Sequence, residues 1–135
     1  MTTTGATNGL DLIMRTLLKP GDCVVVESPG YSRLFDLLRL NGVTMIEAPR
    51  TPRGPDTQVL EALLVKYRPR ALFINSFYHN PTGSSLTPVV AQQVLQLTKA
   101  HGVLVIEDDV YADLHSGPGT RLPAMAIDDT VIHVA

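Results

Sequence analysis

The sequence predicts an α/β fold, a mostly parallel sheet with helices on both faces. Three observations carry that prediction. Short apolar runs alternate with stretches whose leucines recur at helical spacing. The apolar runs lack alternation, as in strands buried on both sides of a parallel sheet. Turn formers mark each change of period: Pro20-Gly21, Gly42, Asn80-Pro81 and Gly102. Right-handed βαβ units built on this pattern place helices above and below one sheet.

The elements follow in order. Gly5-Ala6-Thr7-Asn8-Gly9 leads into a helix with Leu10, Ile13, Met14, Leu17 and Leu18 on one face. Pro20-Gly21-Asp22 turns the chain into a strand over Cys23–Val26, which finishes at Glu27-Ser28-Pro29-Gly30-Tyr31. Ser32–Leu40 is a helix, capped by Ser32, with Leu34, Leu37 and Leu38 inward and Gly42 closing it. Val43–Ala48 is the next strand. The prolines and glycine of Pro49–Pro55 predict a surface loop. Asp56 or Thr57 caps a helix through Tyr67, with Leu60, Leu63 and Leu64 as its buried stripe. Ala71–Ser76 is the central strand, ending in His79-Asn80-Pro81-Thr82-Gly83. Thr87-Pro88 opens a helix that runs to His101. Val103–Ile106 is a strand ending in Glu107-Asp108-Asp109. Residues 112–130 are irregular, and Val131–Ala135 is the last strand.

The 135 residues suit one domain, with 44% apolar and 18% charged content. A net charge of −2 gives no global field for nucleic acid or anionic lipid. Cys23, the single cysteine, excludes an internal disulfide and fits a reducing compartment. With no signal peptide and no run long enough to cross a bilayer, a cytoplasmic location and no membrane partner are expected. The abrupt start at Met1-Thr2-Thr3-Thr4-Gly5 and the stop after Val134-Ala135 lead us to expect a fragment of a longer protein.

Chemistry concentrates where strands end, the usual place for ligands in open α/β sheets. Three such ends carry polar groups: Ser28-Pro29-Gly30-Tyr31, His79-Asn80-Pro81-Thr82-Gly83, and Glu107-Asp108-Asp109-Val110-Tyr111. The small-residue loop Gly5–Gly9 before a helix is an anion site by the same logic, although it lacks both the P-loop and the GxGxxG patterns. Three adjacent acids suit Mg²⁺, but strand alternation sends Glu107 and Asp109 to one face and Asp108 to the other, so no metal site is expected. A receiver-type phosphoacceptor would need a lysine ending a later strand. A doubly wound nucleotide binder would need a glycine-rich loop directly after a strand. His79 and His133 are assigned to structure or solvent.

Taken in order, Gly5-Ala6-Thr7, Pro29-Gly30-Tyr31, His79-Asn80-Pro81-Thr82-Gly83 and Asp108-Asp109-Val110-Tyr111 resemble the fold-type I pyridoxal-phosphate enzymes, the aminotransferase class I/II family. The resemblance spans essentially the whole chain. It implies that residues 1–135 are part of the cofactor-binding large domain, with pyridoxal 5'-phosphate as cofactor. Gly5, Ala6 and Thr7 would hold the phosphate, and Tyr31 would stack on the pyridine ring. Asn80 and Tyr111 would hydrogen-bond the ring's phenolic oxygen. Asp108, with Asp109 as the alternative register, would pair with the ring nitrogen. A carboxylate there favours the protonated ring, which is the electron sink of this chemistry.

Glu-Asp-Asp before Val-Tyr and the ending Val-Ile-His-Val-Ala look like the aminotransferase-like domain of GntR-type transcription regulators. In those a separate winged helix-turn-helix binds DNA and the pyridoxal-phosphate domain senses an effector. DNA would then be met only through a domain absent from this chain. The other reading is a free-standing aminotransferase moving an amino group between an amino acid and a 2-oxo acid. Either parent would be a homodimer. The family's Schiff-base lysine would lie beyond Ala135, and Lys19, Lys66 and Lys99 are misplaced for it. The resemblance therefore implies no catalytic residue within the chain, which should be inactive alone.

The resemblance also implies a strand order. The strand at 71–76 should lie between 131–135 and 103–109, followed by 23–28, with 43–48 at the edge and all strands parallel. Ser28–Pro29 and Asn80–Pro81 should be cis.

Overall fold

The computed structural model describes residues 5–76, 79, 81–108, 122 and 130–134. It begins with α1 (Ala6–Leu17), which buries Leu10 and Met14, one helical turn apart. A turn follows in which the Asp22 carboxylate accepts the Lys19 N–H at 2.8 Å. β1 (Cys23–Ser28) buries four consecutive residues from Val24 to Glu27. α2 (Ser32–Leu40) packs Leu34 and Leu38 inward. β2 (Thr44–Thr51) then turns sharply into a two-residue strand, β3 (Gly54–Pro55). α3 (Thr57–Tyr67) is capped by Asp56, whose carboxylate accepts from the N–H groups of Gln58 and Val59. β4 (Ala71–Ile74) is buried at every position. α4 (Pro88–Ala100) starts at the Thr87 cap with proline in its first turn. β5 (Leu104–Asp108) and β6 (Val131–Val134) complete the sheet.

The strand order is β3-β2-β1-β4-β5-β6. The β1–β2, β1–β4, β4–β5 and β5–β6 pairs are parallel, while β2 and β3 pair antiparallel. The pleat divides the core in two. Val24, Val26, Ala71, Phe73 and Ile106 face α1 and α2, whereas Val25, Leu72, Ile74 and Val105 face α3 and α4. Helices on both faces of a mostly parallel sheet are what the alternation of elements predicted.

Four expectations are corrected. The central strand β4 lies between β1 and β5, not between β6 and β5. The physical reason is burial. β1 is apolar on both faces and needs a neighbour on each side, while β2 buries only Ala48 and β6 only Val134, the patterns of outer strands. The chain steps outward from β1 to β2 and then returns across β1 through α3, which covers the opposite face. A right-handed crossover made in the reverse direction requires that change of face. Second, the sheet is not wholly parallel, because Pro49–Pro55 is not a plain surface loop. β2 runs on to Thr51 and folds back as β3. Third, Ser32 does not cap α2. It is the first helical residue, and the cap position is Tyr31, with no side-chain cap bond. Fourth, Gly5-Ala6-Thr7 is not a loop preceding the helix, since Gly5 is the cap of α1 and Ala6 and Thr7 are helical.

α1 joins the amino end of β1, so it runs antiparallel to the strands. A twelve-residue helix rises ~18 Å. A six-residue strand rises ~20 Å. The first turn of α1 therefore lies at the carboxyl edge of the sheet, the edge at which β1, β4 and β5 end.

Candidate functional site

Asp108 closes β5 on the face that Ile106 shares with α1 and α2. It is half-buried, its Oδ1 is shielded from solvent, and its backbone carbonyl accepts Asn75 Nδ2 at 2.6 Å. Tyr31 is half-buried and packs with Phe35 against the same core half. The chain reaches it through a cis Ser28–Pro29 bond, as expected. Gly30 is required there for a close approach: a Cβ at this position would stand 2.5 Å from the Glu27 carbonyl oxygen. Gly5 opens α1 at φ 135°, a backbone conformation that favours glycine. The topology thus gathers Gly5, Tyr31 and Asp108 at one edge and one face of the sheet. Ala6 and Thr7 belong to the first turn of α1. Asn80, Tyr111, Asp109 and the Asn80–Pro81 bond lie outside the described residues.

Beneath this edge, on the α3/α4 side, is a buried polar network built on two glutamates. Glu27 ends the apolar run of β1 and is 4% exposed; Glu107 ends that of β5 and is 0% exposed. Each reaches toward the residues leaving β4, the strand between them. Glu27 Oε2 accepts the Asn75 N–H at 3.0 Å, and Glu107 Oε1 accepts the Ser76 hydroxyl. Glu107 also accepts the Leu122 N–H at 3.2 Å and lies 2.9 Å from His133 Nδ1.

Arg50, from β2, completes the Glu27 half. Its side chain is wholly buried and meets Glu27 Oε1 at 2.5 Å. It donates further to the Asn75 carbonyl at 2.9 Å, to Ser84 Oγ at 3.3 Å and to the Ser84 carbonyl at 3.4 Å. One guanidinium thereby joins the ends of β1, β2 and β4 to the segment after β4. His79 sits over the pair, with Nε2 at 3.4 Å from Glu27 Oε2 and Nδ1 at 2.7 Å from Thr82 Oγ1. Its backbone accepts from Gly83 and donates to Ser84.

Burial, aided by the positive charge of Arg50, pushes the His79 pKa down to about 4. The ring is therefore neutral at physiological pH. A carboxylate beside Nε2 favours the tautomer that carries its proton there, with Nδ1 free to accept from the Thr82 hydroxyl. Burial pushes the Glu27 carboxyl up, against the opposing pull of Arg50 and the Asn75 N–H.

Asp108, Tyr31 and Gly5, members of the expected cofactor set whose positions are described, lie at the carboxyl edge, and His79, assigned to structure or solvent, is buried. Glu27 and Arg50 had no role assigned from the sequence, and Glu107 was weighed only as a metal ligand. A signal was present, since Val24-Val25-Val26-Glu27 and Leu104-Val105-Ile106-Glu107 both end an apolar run in glutamate. A charge continuing a two-sided apolar strand needs a buried partner. Lys19 follows the end of α1, and Lys66 and Lys99 sit in the last turns of α3 and α4. All three lie at the amino edge, opposite Asp108. Among the described residues no group of three His, Cys, Asp or Glu side chains suits a metal ion.

The family model described as aminotransferase class I and II matches residues 1–134. The 2-aminoadipate transaminase of Thermus thermophilus is 38% identical over 124 residues, covering 91% of this chain and 31% of that protein. The HTH-type transcriptional regulator YdcR of Escherichia coli is also 38% identical, over 97% of this chain and 29% of its own length. Among solved structures, the α-aminoadipate aminotransferase of Thermus thermophilus complexed with N-(5'-phosphopyridoxyl)-L-leucine superposes with a TM-score of 0.90 at 31% identity. That match covers 97% of this chain and 35% of that one. The chain thus spans about a third of the relatives it matches.

Proposed function

The chain belongs to the aminotransferase class I and II family, and from that membership we propose that it forms the cofactor-binding edge of a pyridoxal-phosphate-dependent aminotransferase unit. In the whole protein this unit moves an amino group between an amino acid and a 2-oxo acid. The observation that supports the reading best is the meeting of Asp108, Tyr31 and the first turn of α1 at one edge and face. Those residues fit pyridoxal 5'-phosphate by their chemistry. A helix start with glycine at its cap suits a phosphate, and a half-buried carboxylate suits a ring nitrogen that carries a proton.

When bound, the cofactor supplies an electron sink for charge developing on the substrate carbon. The residues of this chain would bind and orient it. Gly5, Ala6 and Thr7 hold the phosphate. Tyr31 orients the ring by its flat face. Asp108 would keep a proton on the ring nitrogen, and Asn80 and Tyr111 would hydrogen-bond the phenolic oxygen. The shielding of Asp108 Oδ1 from water would strengthen that pairing.

A second reading is favoured by the match to YdcR and to a second Escherichia coli regulator, YjiR, at 34% identity. In it the same site senses an effector, and DNA is bound by another part of the whole protein. Both readings place the protein in the cytoplasm as a homodimer. Titration of the whole protein with pyridoxal phosphate, followed by its absorption spectrum, tests the shared site. Amino-group transfer to a 2-oxo acid then selects the enzyme, while cofactor-dependent DNA binding without transfer selects the regulator. Absence of cofactor binding overturns both.

A further inference from the structure

The residues that bracket position 80 are held from below by the buried network, and nothing in the cofactor-binding role assigns that network a task. Arg50 reaches Ser84 by two contacts and Asn75 by one, while Glu27 holds the Asn75 N–H. His79 links Glu27 to Thr82, and Thr82 Oγ1 lies 2.9 Å from Ser84 Oγ. Every anchor is on the α3/α4 face, whereas Asp108 and Tyr31 belong to the α1/α2 face. The network therefore meets the cofactor edge from behind.

A loop between a strand and a helix needs no such device merely to turn. Pro81 and Gly83 already supply the turn chemistry, with Gly83 at φ 74°. A buried ion pair is a costly way to add stability, since both charges lose their water. What it gives is one fixed geometry, because a guanidinium presents its donors in a rigid fork. Here the fork is spent on three strand ends and the 79–84 segment at once.

We propose that Glu27, Arg50 and His79 are positioning residues that fix His79 and residues 81–84 at the cofactor edge, so that losing the network weakens cofactor binding. The proposal rests on the pyridoxal-phosphate reading of the same edge. The three residues act through the backbone of Asn75, His79 and Ser84.

The test compares the whole wild-type protein with its Arg50→Lys, Arg50→Met, Glu27→Gln and double Glu27→Gln/Arg50→Met variants. The double variant removes both charges and avoids stranding either one, which keeps the core folded if a single variant fails. Two readouts are taken. Amide hydrogen exchange follows Gly83 and Leu86, whose N–H groups bond to His79 and Ser76, with Val25 and Val105 as core references. Pyridoxal phosphate titration gives the affinity and the absorption maximum.

In the double variant, Gly83 and Leu86 should exchange at least tenfold faster while the core references hold. Cofactor affinity should fall at least tenfold, and Arg50→Lys should fall between wild type and the double variant in both readouts. Wild-type protection at Gly83 and Leu86 in the double variant overturns the proposal. So does a loosened segment with unchanged cofactor affinity, or a loss of protection shared equally by the core. If the whole wild-type protein binds no pyridoxal phosphate while Gly83 and Leu86 still loosen selectively, the proposed function fails and the clamp on His79 and residues 81–84 stands.

Discussion

Arg50 and Glu27 meet at 2.5 Å between neighbouring strands, with 0% and 4% of their side chains exposed. Removing one partner leaves the other charge buried and uncompensated, at a cost of about 3–5 kcal/mol. Arg50→Met and Glu27→Gln should each destabilise the chain on that scale. The double variant should lose much less than the sum of the two. Urea unfolding of the four proteins measures the coupling, and simple additivity would contradict the geometry.

His79 gives the fold an acid dependence. Its folded pKa of about 4 lies below the ordinary value of 6.5, so the unfolded chain takes up the proton first. The stability linked to this group is full above pH 6.5, declines as pH falls, and is lost by about pH 4. The full difference is about 3 kcal/mol. Thermal unfolding from pH 7 to pH 4 should show that decline, and His79→Gln should flatten it. An unchanged slope in the variant would place the proton uptake on another group.

Gly30→Ala should disturb the approach to Tyr31. The new methyl would meet the Glu27 carbonyl at 2.5 Å and the Phe35 ring at the same distance. The carbonyl belongs to a strand and cannot yield as a side chain would. A loss of about 1–3 kcal/mol is expected, together with weaker cofactor binding. Wild-type melting and affinity would show that the loop has room the structure does not give it.

Asp108→Asn tests the proposed ring contact. The carboxylate is proposed to pair with a protonated ring, and a hydrogen bond to a charged partner contributes about 1.5–3 kcal/mol. Cofactor affinity should therefore fall roughly tenfold to a hundredfold. Undiminished affinity would move the contact to Asp109 or to neither acid.

How much of this was legible in the sequence follows from the range of each interaction. The apolar runs at Val24–Val26, Ala71–Ile74 and Val103–Ile106 and the caps at Asp56 and Thr87 are local, and the sequence marks them directly. Leu60 and Leu64 announce the buried face of α3 by spacing alone. Strand order is not local. Nothing in residues 43–76 states that the chain turns back across β1, so the order expected from the resemblance, with β4 beside β6, had no local signal to correct it. The ion pair was hidden for a related reason. Arg50 stands among prolines that read as a surface loop, and its partner is 23 residues away on another strand. Asp108 and Tyr31 were singled out because their motifs are short and contiguous. Glu27 and Arg50 act only as a pair brought together by the fold.

The most direct test of the central claim is a crystal structure of the whole protein with pyridoxal phosphate bound. The phosphate should lie at the first turn of α1, beside residues 5–7. The ring should stack on Tyr31, with its nitrogen within hydrogen-bond distance of the Asp108 carboxylate. A cofactor bound elsewhere, or one whose ring nitrogen faces away from Asp108, would contradict the account.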